Sequence, residues 1–197
     1  MTSDPGHVEE LYTAPSKGAP MVSHDAIDIN NGGIVGDRYR EGTGYYSATD
    51  GCAVTLVDAA VLDEARETFG LDLSGGIHRR NIVVRGVDLT SLLDATFELG
   101  EATLRGTKLR PPCAHLADLV GDDSVGDALR ERRGGICADV VAPGHVAVGD
   151  TLRVTQANPR EMGRQIAARL GADSSFGKGT DAMTHGDIDG TDHGDTE

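Results

Sequence analysis

Apolar residues run along this chain in short stretches that alternate with polar positions and are broken by glycine-rich turns. Residues 8–13 read as a first strand, Lys17-Gly-Ala-Pro20 as a turn, and residues 21–29 as a second, loosely alternating strand. Residues 52–57 form a β-branched apolar run and predict a buried strand, which makes Cys52 a core residue. Asp58 is placed to N-cap a helix through Phe69, with Val61, Leu62, Ala65 and Phe69 on one face and Gly70 as its stop. Strands are predicted at 81–85, 96–99, 102–109, 136–141 and 151–155, with a tight hairpin at Gly100-Glu101 and a turn at Pro143-Gly-His145. Short helical stretches are predicted at 87–93, 115–120 and 124–132, the last capped by Ser124. Many short strands, glycine-rich turns and few helices predict a mainly β, α+β fold: a β-barrel with peripheral helices.

At 197 residues one domain is expected, and the pattern places it over 1–155. Asn158-Pro-Arg-Glu161 is a helix-start signature, and Met162, Ile166 and Leu170 follow at a spacing of four, so a helix over 156–170 is expected to pack on the barrel. From Gly171 to Glu197 apolar periodicity vanishes, and seven acids, six glycines and a single lysine predict a disordered tail dispensable for folding.

Charge narrows the partners. The formal net charge is -14, with 22 Asp and 10 Glu against 15 Arg and only 3 Lys. Such a field repels phosphate backbones and anionic lipid, so neither nucleic acid nor membrane is an expected partner. The Asp-rich, Lys-poor, aromatic-poor composition resembles proteins of salt-loving archaea, where high ionic strength screens self-repulsion. The chain opens without a secretory or membrane-spanning apolar run, and a cytoplasmic location is expected.

Three well-separated cysteines, Cys52, Cys113 and Cys137, show neither a disulfide framework nor a zinc-ligand spacing, and a reducing cytosol is the simpler setting. Cys113 stands apart because it follows Pro111-Pro112, which end the strand before it and present the thiol at its mouth. Lys108, Arg110 and His115 are near enough in sequence to favour its thiolate. Asn31-Gly-Gly-Ile-Val-Gly-Asp-Arg-Tyr39 is a glycine-dense turn ending in the acid-base pair Asp37-Arg38, without phosphate-loop spacing. Residues 40–50, with Tyr45 and Tyr46, read as a loop at the rim of a site. Arg79, Arg80 and Asn81 follow the pair Gly75-Gly76 and make a candidate anion clamp, an arrangement that Arg133 with Gly134 and Gly135 repeats.

These pieces in this order resemble the MOSC domain, the family named for the C-terminal part of molybdenum cofactor sulfurases. The matching segments are Gly33-Ile-Val-Gly-Asp-Arg-Tyr39, Val54-Thr-Leu-Val57, Arg79-Arg-Asn-Ile-Val-Val-Arg-Gly-Val-Asp-Leu89, Pro112-Cys113, Arg133-Gly-Gly-Ile-Cys-Ala-Asp-Val140 and Val148-Gly-Asp150, covering roughly residues 8 to 155. The resemblance implies a MOSC-type β-barrel in which Cys113 either ligates the molybdenum of a pterin cofactor (molybdopterin) or carries persulfide sulfur. A third implied role is a cofactor-binding module without turnover. It also implies that Asp37, Arg38, Arg79, Arg80 and Asn81 lie near Cys113, that Arg133, Gly134 and Gly135 close the same pocket, and that a small N-hydroxylated compound is the substrate to be reduced. The aminotransferase-like part of the sulfurases has no counterpart in this sequence, so no pyridoxal phosphate is expected on this chain. Sulfur or electrons are expected from a separate protein.

Overall fold

The computed structural model describes residues 6–44, 51–112, 114–159 and 163. Cys113, Tyr45, Tyr46, most of the helix predicted over 156–170 and the whole acidic tail lie outside the described residues. The chain divides into two units, Met1–Met162 and Gly163–Glu197, and the architecture below belongs to the first.

Eleven strands carry the described fold: β1 (Gly6–Thr13), β2 (Val22–His24), β3 (Ala26–Asn30), β4 (Gly33–Ile34), β5 (Val54–Asp58), β6 (Ile82–Arg85), β7 (Thr96–Leu99), β8 (Ala102–Leu109), β9 (Ile136–Ala142), β10 (Gly144–Ala147) and β11 (Thr151–Gln156). Seven of them close on themselves in the order β11-β7-β8-β9-β5-β6-β1, with β1 pairing back onto β11. Closure removes the open sheet edges that invite aggregation. All pairings in the ring are antiparallel except β5 with β6, which are parallel because the helix α1 (Ala59–Phe69) crosses between them. β10, β3 and β4 form a second small sheet.

Alternation decides what fills the barrel. Val54, Leu56, Ile82, Val84, Phe97, Leu99, Leu104, Ile136 and Ala138 point into one buried cluster. Their neighbours Thr55, Val57, Val83 and Cys137 are also buried, on the opposite face of the same strands. Outside the barrel, α1 packs with the short helices α2 (Ala114–Val120) and α3 (Ser124–Ala128) around Ala65, Leu71, Leu73, Leu116, Val125 and Leu129. The capping of α1 is as the sequence predicts: the Asp58 side chain accepts from Ala60 N, and Gly70 adopts φ 67°.

Four local expectations need correction. The strand expected over 21–29 is two strands in different sheets, interrupted at Asp25, because β2 continues along β1 while β3 leaves to pair with β10. The segment read as a turn at Pro143-Gly-His145 runs into strand β10, held on β3 through Gly144 opposite Ile29 and Val146 opposite Ile27. α3 ends at Ala128 instead of 132, and Ser124 is its first residue instead of its cap: the N-cap is Asp123, without a side-chain cap bond, while Asp122 Oδ1 accepts from Ser124 N at 2.8 Å. Cys52 and Cys137 form a disulfide, with Cα atoms 4.7 Å apart, where the sequence showed no pairing. Their 85-residue separation hides the pair in the sequence; Cys137 sits opposite Thr55 in the β5–β9 ladder, so the chain entering β5 passes beside it.

Candidate functional site

Several segments meet at one end of the barrel: the end of β1, the turn 37–39, the lead into β6 at 78–81, the end of β8 at 110–112, and the lead into β9 at 133–135. Asp37 sits beneath them with no exposed surface. One of its oxygens accepts from Ala14 N, Arg38 Nη1 and Asn81 Nδ2, each at 3.0 Å, and the other accepts from Tyr39 N at 3.0 Å. This carboxylate therefore joins β1, its own turn and the start of β6. Asn81 completes the joint: its Oδ1 accepts from Thr55 N at 3.2 Å and Thr55 Oγ1 at 2.7 Å, and its Nδ2 also donates to Tyr12 O at 3.2 Å. With these bonds the Asn81 amide has used its capacity on the protein.

The arginines divide by direction. Arg38, buried beside Asp37, donates from Nη2 to the Arg79 carbonyl at 3.0 Å and lies 4.7 Å from the Tyr39 ring centroid. Arg79 adopts φ 62°, a left-handed conformation uncommon for a side-chain-bearing residue, and it is fixed there by the Arg38 bond and by its own N–H to Gly76 O at 2.9 Å. Its guanidinium donates to Ala19 O and helps line a cavity of about 250 Å³ with Gly18, Pro20, Met21, Gly75, Gly76, Ile77 and Leu119. Gly76 (φ 80°) belongs to this wall because a Cβ there would collide with Met21. Leu119 comes from α2, whose first residue directly follows Cys113.

Arg80 turns the other way and is 2% exposed. Its guanidinium donates to the carbonyls of Gly134 at 2.8 Å, His78 at 2.9 Å and Arg110 at 3.2 Å. Gly134 and Gly135 are spacers, since a Cβ on either would strike the backbone of Arg110 or Leu56. Arg133 goes elsewhere than expected: its Nη2 lies 2.8 Å from Glu64 Oε2 on α1, and it lines a separate cavity of about 200 Å³ with Asp58, Asp88 and Thr90. Arg79 and Arg133 thus face different cavities, although the family resemblance implied one pocket.

One site residue escapes the sequence reading, His78, and another, Arg110, expected beside the Cys113 thiol, has a bracing role that the sequence did not show. Arg110 is buried, and its Nη2 donates to Tyr39 Oη at 3.0 Å, so it braces the glycine-dense turn. His78 has no exposed surface, and its Nδ1 accepts from Arg80 N at 3.0 Å, which puts the ring proton on Nε2. Burial first, and then the charges of Arg80, Arg38 and Arg79, push the His78 pKa from 6.5 down to about 3. Only the glycines before it hinted at a crowded segment.

That shift has a testable sign. The unfolded chain takes up the His78 proton near pH 6.5 and the folded chain only near 3, so stability is full above about 6.5 and falls as pH drops through that window. The slope from this one group is about 1.4 kcal/mol per pH unit. His78→Asn, which offers an oxygen in place of Nδ1, is expected to flatten the acid limb of a urea-midpoint profile between pH 6.5 and 4; an unchanged limb counts against the assignment.

Among the described residues no three His, Cys, Asp or Glu side chains gather into a metal cage, and no helix is long and apolar enough to cross a membrane. The structure is similar to that of the YuaD protein from Bacillus subtilis, at 22% identity and a TM-score of 0.63, over 76% of this chain and 94% of that one. It is also similar to YiiM from Geobacillus stearothermophilus, at 15% identity and 0.60 over 77% and 76% of the two chains. For YiiM from Escherichia coli the figures are 19%, 0.54, 77% and 69%. No curated protein matches the sequence. At these identities the neighbours speak for the fold alone. The MOSC domain family matches residues 43–153, more than half of the sequence, and this span holds β5 through β10, the Arg79–Asn81 lead, Cys113 and the Gly134-Gly135 spacers. The chain is a member of the MOSC domain family.

Proposed function

We propose that this protein binds a molybdenum-pterin cofactor, with Cys113 as the protein ligand to the metal and Arg79 as the receiver of the cofactor's anionic end. The observation that carries the reading is the cavity of about 250 Å³ whose wall holds Arg79 together with Leu119 of the helix starting one residue after Cys113. Its lining fits the group. Pro20, Met21 and Ile77 offer apolar surface to a flat heterocycle, and a guanidinium fork matches phosphate oxygens two at a time. A soft thiolate suits molybdenum, and a metal that brings its own pterin ligands needs no protein cage.

When bound, the cofactor supplies oxygen-atom and electron-transfer chemistry of the kind that reduces small N-hydroxylated compounds. The chain's part is to hold and to shield. Arg79 fixes the anionic end, Met21, Ile77 and Leu119 keep water from the heterocycle, and the Asp37–Arg38–Asn81 joint holds the Arg79 backbone in place. Electrons come from a separate donor protein. The proposed setting is the cytoplasm; the two disulfide cysteines, 6% and 1% exposed, are shielded there from thiol reductants.

Sulfur carriage by a Cys113 persulfide is the second reading, favoured by the disulfide itself. With Cys52 and Cys137 joined, no second thiol of the same chain competes for the sulfur. One experiment separates the two. In protein purified from a molybdate-fed host, molybdenum is expected in the wild type and largely lost in Cys113→Ala. Equal metal in both rejects the cofactor reading, and cyanide-labile sulfur on metal-free wild type supports sulfur carriage instead.

A further inference from the structure

We infer that Arg80 is a positioning residue for the segment leading to Cys113 and does not itself touch the cofactor. The inference rests on the proposed role of Cys113 for its functional meaning, but its geometry is independent of that role. β8 runs out through Arg110 and Pro111 toward Cys113, and β9 begins just after Gly134-Gly135 on the neighbouring strand. Arg80 stands between these two ends. Its Nε holds the Gly134 carbonyl at 2.8 Å, and its Nη2 holds the Arg110 carbonyl at 3.2 Å and lies 3.5 Å from that of Pro111. Nη1 holds the His78 carbonyl at 2.9 Å, which ties the same guanidinium to its own strand lead.

The need for such a device follows from the sequence. Pro111 and Pro112 have no N–H to give to a ladder, so the last two residues before Cys113 cannot be held by strand pairing through their own nitrogens. Among the described residues, Arg110 N donates to Gly135 O at 2.8 Å just beyond the β8–β9 ladder. At Pro111 and Pro112 the carbonyls are the only backbone groups there are to grip. A planar fork with five donors can reach carbonyls on three segments at once, and an ammonium of similar charge cannot match that geometry. Gly134 is required on the facing strand because any Cβ there would strike the Arg110 carbonyl that Arg80 holds. Adjacent arginines thereby divide the work: Arg79 faces the cavity, and Arg80 fixes the segment that leads to Cys113.

Hydrogen-deuterium exchange on the full chain tests this, comparing wild type, Arg80→Lys and Arg79→Lys. In Arg80→Lys, amide exchange in peptides spanning 104–116 and 133–137 is expected to rise roughly tenfold or more, while β1, β7 and β11 stay at wild-type protection. Arg79→Lys is expected to leave those two peptides unchanged. Molybdenum retention, measured on the same samples, is expected to fall in Arg80→Lys even though the positive charge is kept. Unchanged exchange at 104–116 overturns the inference, and so does a rise spread evenly over the barrel, which would mark Arg80 as an ordinary core residue. Unchanged metal content in Arg80→Lys, against a clear loss in Cys113→Ala, also overturns it. If wild type holds no molybdenum, the cofactor reading fails by itself, and the exchange pattern still decides whether Arg80 holds the segment. Lysine is chosen because Arg80→Met removes the buried charge as well and risks loss of the fold.

Discussion

Asp37→Ala is expected to destabilise the protein by about 3–5 kcal/mol, the cost of removing one partner of a buried ion pair. The substitution strips the acceptor from four donors in a site with no exposed surface: Ala14 N, Tyr39 N, Arg38 Nη1 and Asn81 Nδ2. The first two lose backbone anchoring of β1 and the 37–39 turn, and Arg38 is left beside an apolar methyl. Asp37→Asn keeps the shape but presents an NH2 group where an oxygen now accepts, so an intermediate loss is expected. Urea unfolding monitored by far-UV circular dichroism measures both. A loss below about 1 kcal/mol in Asp37→Ala would show that water or another group replaces the carboxylate, and the joint described here would not be what holds the site. Because Arg38 also carries the Arg79 backbone, the folded fraction of Asp37→Ala is expected to bind anionic ligands more weakly at the cavity.

The second large effect concerns the disulfide. Joining residues 85 apart restricts the unfolded chain, and chain-entropy arithmetic gives about 4.6 kcal/mol as the ceiling, with 2–4 kcal/mol typical in practice. For a domain of this size that corresponds to roughly 5–15 °C in the melting temperature. The double variant Cys52→Ser, Cys137→Ser is expected to melt lower by that amount and to lose any response to reductant. Wild type is expected to show that response only after the reductant has had time to reach sulfurs that are almost wholly buried. Titration of thiols in denaturant without reductant is the direct check. One reactive thiol per chain fits the disulfide, and three would remove it. The result bears on function, since the disulfide leaves Cys113 as the chain's remaining cysteine for metal or sulfur chemistry.

Local physics made much of the fold readable. The helix from Asp58 to Gly70 was legible to the residue because its cap, its apolar face and its left-handed stop are all interactions within a dozen neighbouring residues. The same holds for the hairpin of β7 and β8 around Gly100-Glu101, and for the short apolar runs that became the barrel wall. From these the sequence determined a mainly β fold with peripheral helices, and the order of its motifs determined the MOSC family. Tertiary structure decided what depends on partners far along the chain. Closure of β1 on β11 joins the two ends of the barrel, and no local pattern encodes it. The Cys52–Cys137 pair required β5 and β9 to become neighbours first. At the site, sequence spacing could group arginines beside glycines but could not give their directions. In the fold, a left-handed backbone points Arg79 at the cavity, three carbonyls from separate segments claim Arg80, and Glu64 on α1 draws Arg133 away. A guanidinium has the same charge in all three places; the acceptors that the fold brings to it determine whether it faces a cavity, grips neighbouring carbonyls or pairs with a helix carboxylate.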